Sequence, residues 1–290
     1  MRRLIVTADD FGAAREVNDA VEAAHRHGIL TAASLMVSGP AAADAIARAR
    51  RMPSLRVGLH VVLVEGRPVL PASKLSQLVD GDGALRTDMA AMGTLISFSR
   101  KARRQLAAEI TAQFEAFRAT GLKLDHCNAH KHFHLHPVVG GLMAAIGARF
   151  GLAAVRVPLE PRQVLRRIER RTPWAPSLTT PFALLLRRHL RSAGLLAPDR
   201  IFGLQWSGQM TRDRLSGLIR HLPRGLNEIY LHPATGSYAG SAPKYRYREE
   251  FDALMAPEVV AACREPSVQL GGFSDFLAAH AAGPVRSSIP

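Results

Sequence analysis

Two neighbouring aspartates, Asp9 and Asp10, close the opening segment MRRLIVTADDFG directly after an apolar run. Adjacent side chains at a strand end need not point the same way, so one carboxylate can hold a cation while the other faces water or substrate. The competing reading is a capping pair, since aspartate accepts backbone N–H bonds at a helix start. His60 ends another apolar run and, taken alone, reads first as a hydrogen-bonded core histidine. The densest segment is DHCNAHKHFHLHP, from Asp125 to Pro137, with five of the chain's twelve histidines. In an extended backbone His130, His132 and His134 share a face; in a helix His130 and His134 do. So many imidazoles inside the chain point to metal ligation.

Asp10, His60 and one histidine of the cluster supply mixed oxygen and nitrogen ligation for one catalytic divalent ion, with positions left for water and substrate. Such an ion lowers the pKa of water and polarises a carbonyl. Zinc suits two histidines and an aspartate, and magnesium suits a site that keeps waters. Asp9 can then take a proton from that water, and a second group must protonate the leaving amine. His232, in IYLHPATGSY, is the candidate for that group, because Pro233 breaks the chain after it. A structural histidine is the alternative there. Arg156, in AAVRVP, binds a carboxylate, orients Asp9, or is an ordinary strand-end arginine.

These residues need elements to hold them. Leu4 to Ala8 reads as a buried strand, followed by a helix with Val17, Val21 and Ala24 on one side that stops at Gly28. Ile29 to Val37 and Leu55 to Leu63 read as further strands. Residues 64 to 99 look irregular, and Asp80 and Asp82 read as an ordinary turn rather than a calcium loop. Leu106, Ile110, Phe114 and Phe117 give the next helix one apolar side. A strand approaches Asp125, and Pro137 begins an apolar helix. Ala153 to Val157, Ile201 to Trp206, Asn227 to His232 and Val268 to Leu270 complete the strands. Short strands separated by helices favour an α/β barrel, with a doubly wound open sheet as the alternative. Residues 1–281 are expected to form a single catalytic barrel domain and 282–290 a C-terminal tail. Six prolines interrupt 158–198, which reads as a basic and apolar cap or insertion.

The 290 residues carry 38 Lys and Arg against 24 Asp and Glu, a formal charge of +14. That excess suits an anionic partner or surface, but no compact reading motif for nucleic acid accompanies it. Two cysteines are too few for a disulfide scaffold. The basic start meets aspartates before a signal-peptide core can form, and no apolar run reaches transmembrane length. A cytoplasmic enzyme is expected, and the subunit count, including a homodimer, stays open.

TADDFG at 7–12, VGLH at 57–60, NAHKHFHLHP at 128–137 and LHP at 231–233 resemble the YdjC-like carbohydrate deacetylases, in order and across nearly the whole chain. The resemblance implies a distorted TIM-like (β/α) barrel of the glycoside hydrolase and deacetylase type, with its site at the carboxyl ends of the strands. It implies Asp10, His60 and His130 as metal ligands and Asp9 as base, with His232 kept as the candidate proton donor. His132 and His134 are then cast beside the ligands or against substrate, with Asn128, Lys131 and Arg156. Many relatives carry DSHHHVH where this chain has NAHKHFH, so Asn128 and Lys131 depart from the pattern. With ITAASLMVSG and VEGRPVLP, that departure is similar to the hopanoid biosynthesis-associated HpnK branch.

The implied reaction removes acetyl from an N-acetylglucosaminyl hopanoid. Soluble N-acetylated oligosaccharides such as chitooligosaccharides are the alternative substrates. Between Arg162 and Arg191 stand eight arginines and one acidic residue, Glu169, around LTTPFALLL. Arg187, Arg188 and Arg191 could meet lipid at the inner face of the cytoplasmic membrane; packing over the barrel is the other reading. A glycosidase would need a second carboxylic acid that the sequence does not single out. A noncatalytic sugar- or lipid-binding protein would keep the barrel and the metal without turnover.

Overall fold

The computed structural model describes residues 1–172 and 177–278. β1 (Arg2–Phe11) runs through the centre, followed by α1 (Arg15–His27), β2 (Ala32–Leu35), α2 (Ala42–Arg50) and β3 (Arg56–Val61). α3 (Met89–Phe98) and α4 (Arg100–Ala119) precede β4 (Cys127–Ala129), which passes straight into a 3₁₀ turn, His130–Leu135. Then come α5 (Pro137–Ala148), α6 (Arg162–Ile168), α7 (Thr180–Ser192), β5 (Arg200–Phe202), α8 (Arg212–Arg220), β6 (Gly225–Leu231), α9 (Tyr247–Met255), α10 (Pro257–Cys263) and β7 (Val268–Leu270).

All pairings among these strands are parallel, in the order β4-β3-β2-β1-β6-β5, and β7 pairs with the first residues of β1. Bridges from Cys127 to Val155 and from Ala154 to Leu196 carry the sheet beyond β4. The result is a curled, open half-barrel, a distorted form of the expected TIM-like barrel.

Side chains alternate across a strand, so every second residue faces the concave side. At the bottom of that side Ile5, Ala32, Ala154, Leu196 and Leu226 pack with Phe273 and Phe276 in an apolar plug. Two residues further along each strand the same face turns polar: Thr7, Ser34, Arg156 and Glu228 are buried there. One more step brings Asp9, His60, Asn128 and Tyr230 to the carboxyl ends. The opposite face meets the helices in the main core, with Leu4, Val6, Val57 and Leu59 at its centre.

The helices follow local signals. Asp88 caps α3 by accepting from Ala90 and Ala91, and Ser99 caps α4 by accepting from Ala102. His136 caps α5 ahead of Pro137 at the first helical turn. Asp80 closes the DGDG turn by accepting from Asp82 and Ala84, the ordinary turn expected there.

Several expectations shift. Ala153 to Val157 makes only isolated bridges, and the strand expected to reach Asp125 starts at Cys127. α3 lies within the stretch expected to be irregular, because MAAMGTLISF lacks a polar side and shows no amphipathic period. In the 158–198 segment, Pro173 and Pro176 lie outside the described residues, as does the tail at 282–290. α7 buries Ala183, Leu186 and Leu190 against α5 and the histidine turn. A Cβ at Gly140 of α5 would come within 2.8 Å of Leu186 Cδ1, so that contact is close. Among the described residues no helix is long and apolar enough to cross a membrane.

Candidate metal centre and cleft

Asp9 and Asp10 are neighbours in a strand, yet both are buried at 3% and 8% exposure and both serve one site. Simple alternation would send them apart. Asp10 instead adopts a left-handed backbone, φ 61°, and the pairing of β1 with β2 shifts register between Ala8 and Phe11. That irregularity turns the second carboxylate to the carboxyl-end surface while the first stays on the concave face.

Asp10 Oδ1 lies 3.2 Å from His130 Nδ1 and 3.4 Å from His60 Nε2, and those two nitrogens are 3.4 Å apart. The edge of a tetrahedron with ligand bonds of about 2.0–2.1 Å is about 3.3–3.4 Å, so the three atoms match three corners around one ion. Asp10 Oδ1 is buried without a hydrogen-bond partner, which a cation would satisfy. Asp10, His60 and His130 thus form a single site for one divalent metal, and among the described residues no other such group occurs. Burial alone would raise the pKa of Asp10, but His130 above all, then His60, outweighs it and holds the carboxylate ionised.

Asp9 is paired with Arg156. The guanidinium donates to Asp9 Oδ2 at 2.5 Å and to Oδ1 at 2.9 Å, and also to Glu228 Oε1 at 2.7 and 2.9 Å. Thr7 donates to the same Glu228 oxygen at 3.0 Å. Asn128 donates to Asp9 Oδ1 at 3.1 Å and accepts from His60 Nδ1 at 2.7 Å. Burial opposes the charge on Asp9, yet Arg156, then His60, keeps its carboxyl far below the usual range. Arg156 is itself fully buried over the Tyr230 ring, 4.7 Å from its centroid.

The histidine segment follows neither simple geometry. Lys131 and His132 are both left-handed, φ 52° and 54°, so the chain reverses after His130. His130 faces Asp10, and His134 points away to donate to the Arg156 carbonyl at 3.0 Å. His132 pairs with the Tyr230 hydroxyl at 3.0 Å. Burial first, and the Arg156 charge second, lower both imidazoles, His134 to about 3. Both imidazoles are neutral and lie beneath the site, and His134 is fully buried.

His232 follows β6, its backbone N–H bonded to Glu250 at 2.5 Å and its ring between Tyr230 and Tyr245. Its Nδ1 is buried with no partner. A cleft of about 730 Å³ opens over Asp10 and His130, bounded by Met36, Glu65, Arg67 and Tyr238, within the size range of small-ligand pockets. At its edge Lys131 pairs with Glu65, which is also left-handed, φ 50°. Asp10, Glu65, Lys131 and His132 are the only non-glycine residues of positive φ among those described, and each costs about 1–2 kcal/mol.

The profile of the family described as YdjC-like protein matches residues 3–265. The chain belongs to that family. A carbohydrate deacetylase of Geobacillus stearothermophilus is 30% identical over 279 residues, covering 95% of this chain and 98% of that one. A chitooligosaccharide deacetylase of an Enterobacter species is 29% identical over 277 residues, covering 94% and 98%. A solved structure from Enterococcus faecalis superposes with TM-score 0.73 at 21% identity, covering 95% and 98%, a likeness of fold.

In this YdjC-like protein Asp9, Asp10, His60, Asn128, His130, Arg156 and His232 gather at one end of the half-barrel. Arg187, Arg188 and Arg191 lie elsewhere, on α7. Glu228, Tyr230 and Glu65 escaped the sequence reading. For the first two a signal existed: NEIYLHP places Glu228, Tyr230 and His232 two residues apart on one strand face, with a carboxylate in an apolar run. Glu65 in VEGRP gave none, because its partner Lys131 is 66 residues away.

Proposed function

We propose that the chain is a metal-dependent hydrolase that removes the N-acetyl group from an amino sugar of a carbohydrate. The observation carrying this reading is the Asp10, His60 and His130 triad at the cleft floor with an anionic Asp9 held beside it. The names of the two relatives support it. A divalent ion at the triad, magnesium or zinc, supplies polarisation of the acetamide carbonyl and acidification of water.

The chain's own residues do the rest. Asp9 accepts the proton of the attacking water; with Arg156 and Asn128 fixing its orientation, it aims that water and holds the proton only briefly. His232, whose ring is partly exposed between Tyr230 and Tyr245, delivers a proton to the departing amine. Attack on the acetyl carbon breaks its bond to nitrogen and leaves acetate and a free amino sugar. Lys131 and Glu65 contact sugar hydroxyls at the cleft edge.

Soluble N-acetylated oligosaccharides are the substrates the relatives' names support best. An N-acetylglucosaminyl hopanoid is the second reading. It is supported by an apolar patch in which Leu178 is 93% exposed and Phe182, Leu184 and Leu185 are 40–54% exposed, beside Arg187, Arg188 and Arg191. Such a patch suits a lipid surface, which would place the protein at the inner face of the cytoplasmic membrane. Mass measurement after incubating metal-loaded protein with chitooligosaccharides and with the acetylated glucosaminyl hopanoid separates the two. Loss of acetyl mass from the oligosaccharides supports the first reading, loss from the hopanoid alone the second, and loss from neither contradicts both. Arg187→Glu with Arg188→Glu should abolish binding to anionic liposomes if the patch meets lipid; equal, weak binding by both proteins would oppose it.

A further inference from the structure

Beneath the metal centre lies a set of contacts with the outline of a nucleophilic triad. Ser34 Oγ is 3.0 Å from His126 Nε2, and His126 Nδ1 is 2.9 Å from Asp125 Oδ2. Ser34 and His126 are fully buried and Asp125 is 2% exposed, so no carbonyl reaches the hydroxyl. The three groups must act through what they touch, and Ser34 touches Asn128 at 3.0 Å.

The direction of each bond can be worked out from one end. A carboxylate only accepts, so the Asn128 amide group facing Asp9 is its NH₂, and its carbonyl faces His60. That carbonyl needs a proton on His60 Nδ1, which leaves the Nε2 lone pair toward Asp10 and His130, the arrangement a metal requires. The second Asn128 hydrogen goes to Ser34 Oγ, and Ser34 passes its own hydrogen to His126 Nε2. His126 then carries its proton on Nδ1 and donates it to Asp125. Asp125 also accepts from the backbone of Phe273 at 3.2 Å and Ser274 at 2.9 Å. Every donor in the chain meets an acceptor.

The packing points the same way. His126 stacks on Phe273 with centroids 4.2 Å apart and planes 19° from parallel. Next to it lies Gly58 of VGLH, where a Cβ would come within 2.5 Å of the His126 carbonyl oxygen and 2.6 Å of its ring carbons. A glycine two residues before a metal ligand is explained by the ring it admits.

We infer that Ser34, His126 and Asp125 are positioning residues that act through Asn128 to hold the metal ligand His60 in its Nδ1–H tautomer. The inference rests on the assignment of Asp10, His60 and His130 as the metal site. It is tested by long-range proton–nitrogen correlation spectra of metal-free, histidine-labelled protein, with Zn²⁺ affinity measured by competition calorimetry. Wild type should show Nδ1–H at both His60 and His126. Ser34→Ala should lower the Nδ1–H fraction at His60 and weaken Zn²⁺ binding by about 10–100-fold. Gly58→Ala, which crowds both the His126 ring and its carbonyl, should do the same. An Nε2–H tautomer at either histidine in wild type overturns the inference, whether or not the variants fold. Unchanged affinity in Ser34→Ala, or weaker affinity with the His60 tautomer unmoved, overturns it as well. Wild type that binds no Zn²⁺ would instead contradict the metal site, and acetate release enters none of these readouts.

Discussion

The buried ion triad of Asp9, Arg156 and Glu228 is where single residues matter most. Arg156→Met would leave two carboxylates in the protein interior with no counter-charge, so a loss of about 3–5 kcal/mol in urea unfolding is expected. Arg156→Lys should also cost activity, since one ammonium cannot reproduce the fork that spans both carboxylates. Asp9→Asn removes the proposed proton acceptor, and acetate release should fall by about 10²–10⁴-fold in protein shown to be folded by circular dichroism. His134 gives a pH signature. Burial, then the Arg156 charge, lower its pKa to about 3. Between the ordinary histidine range and that value the unfolded chain binds a proton here that the folded chain refuses. The stability contribution is therefore whole above about pH 6.5 and is lost progressively as pH falls toward 3. His134→Gln should flatten that acid slope of the thermal midpoint, even if it is less stable at pH 8.

At the level of elements, the turn after β4 sets where His130, His132 and His134 point. Two consecutive left-handed residues, Lys131 and His132, split a histidine run that pattern alone would read as one strand or helix face. Lys131→Gly should leave stability equal or higher by about 1 kcal/mol, because glycine adopts this backbone at no steric cost. The same change deletes the pair with Glu65, so KM for N-acetylated oligosaccharides should rise while kcat changes little; an unchanged KM would remove Lys131 from substrate contact. This turn also marks the limit of what the sequence discloses. Strands β1, β3 and β6 and the site residues at their ends are legible, because apolar runs stop at Asp9, His60 and His232. The facing of Asp10 depends on a register shift, and the partners Glu65 and Ser34 on contacts with segments distant in the chain. No local pattern encodes those. The chemistry of an apolar helix such as α3 was hidden for a simpler reason: it has no polar side to set a period.

Across the whole molecule, the curled sheet separates functions by depth. An apolar plug with Phe273 and Phe276 closes the bottom, a hydrogen-bonded polar layer fills the middle, and the metal site opens into the cleft above. Because the three ligands come from β1, β3 and the turn after β4, metal binding ties three parts of the sheet together. Saturating Zn²⁺ should therefore raise the thermal midpoint after chelation by several degrees, since a ligand at a hundred times its Kd adds about 2.7 kcal/mol; Asp10→Asn should lose most of that rise.

We propose that one metal ion at Asp10, His60 and His130 enables this chain to remove acetyl groups. The decisive measurement is acetate release from an N-acetylated oligosaccharide while Zn²⁺ or Mg²⁺ is titrated into fully chelated protein. Release should begin at zero, reach its plateau at one ion per chain, and leave the sugar chain its original length. Full activity without metal, or shortened sugars with a new reducing end and no acetate, would contradict it.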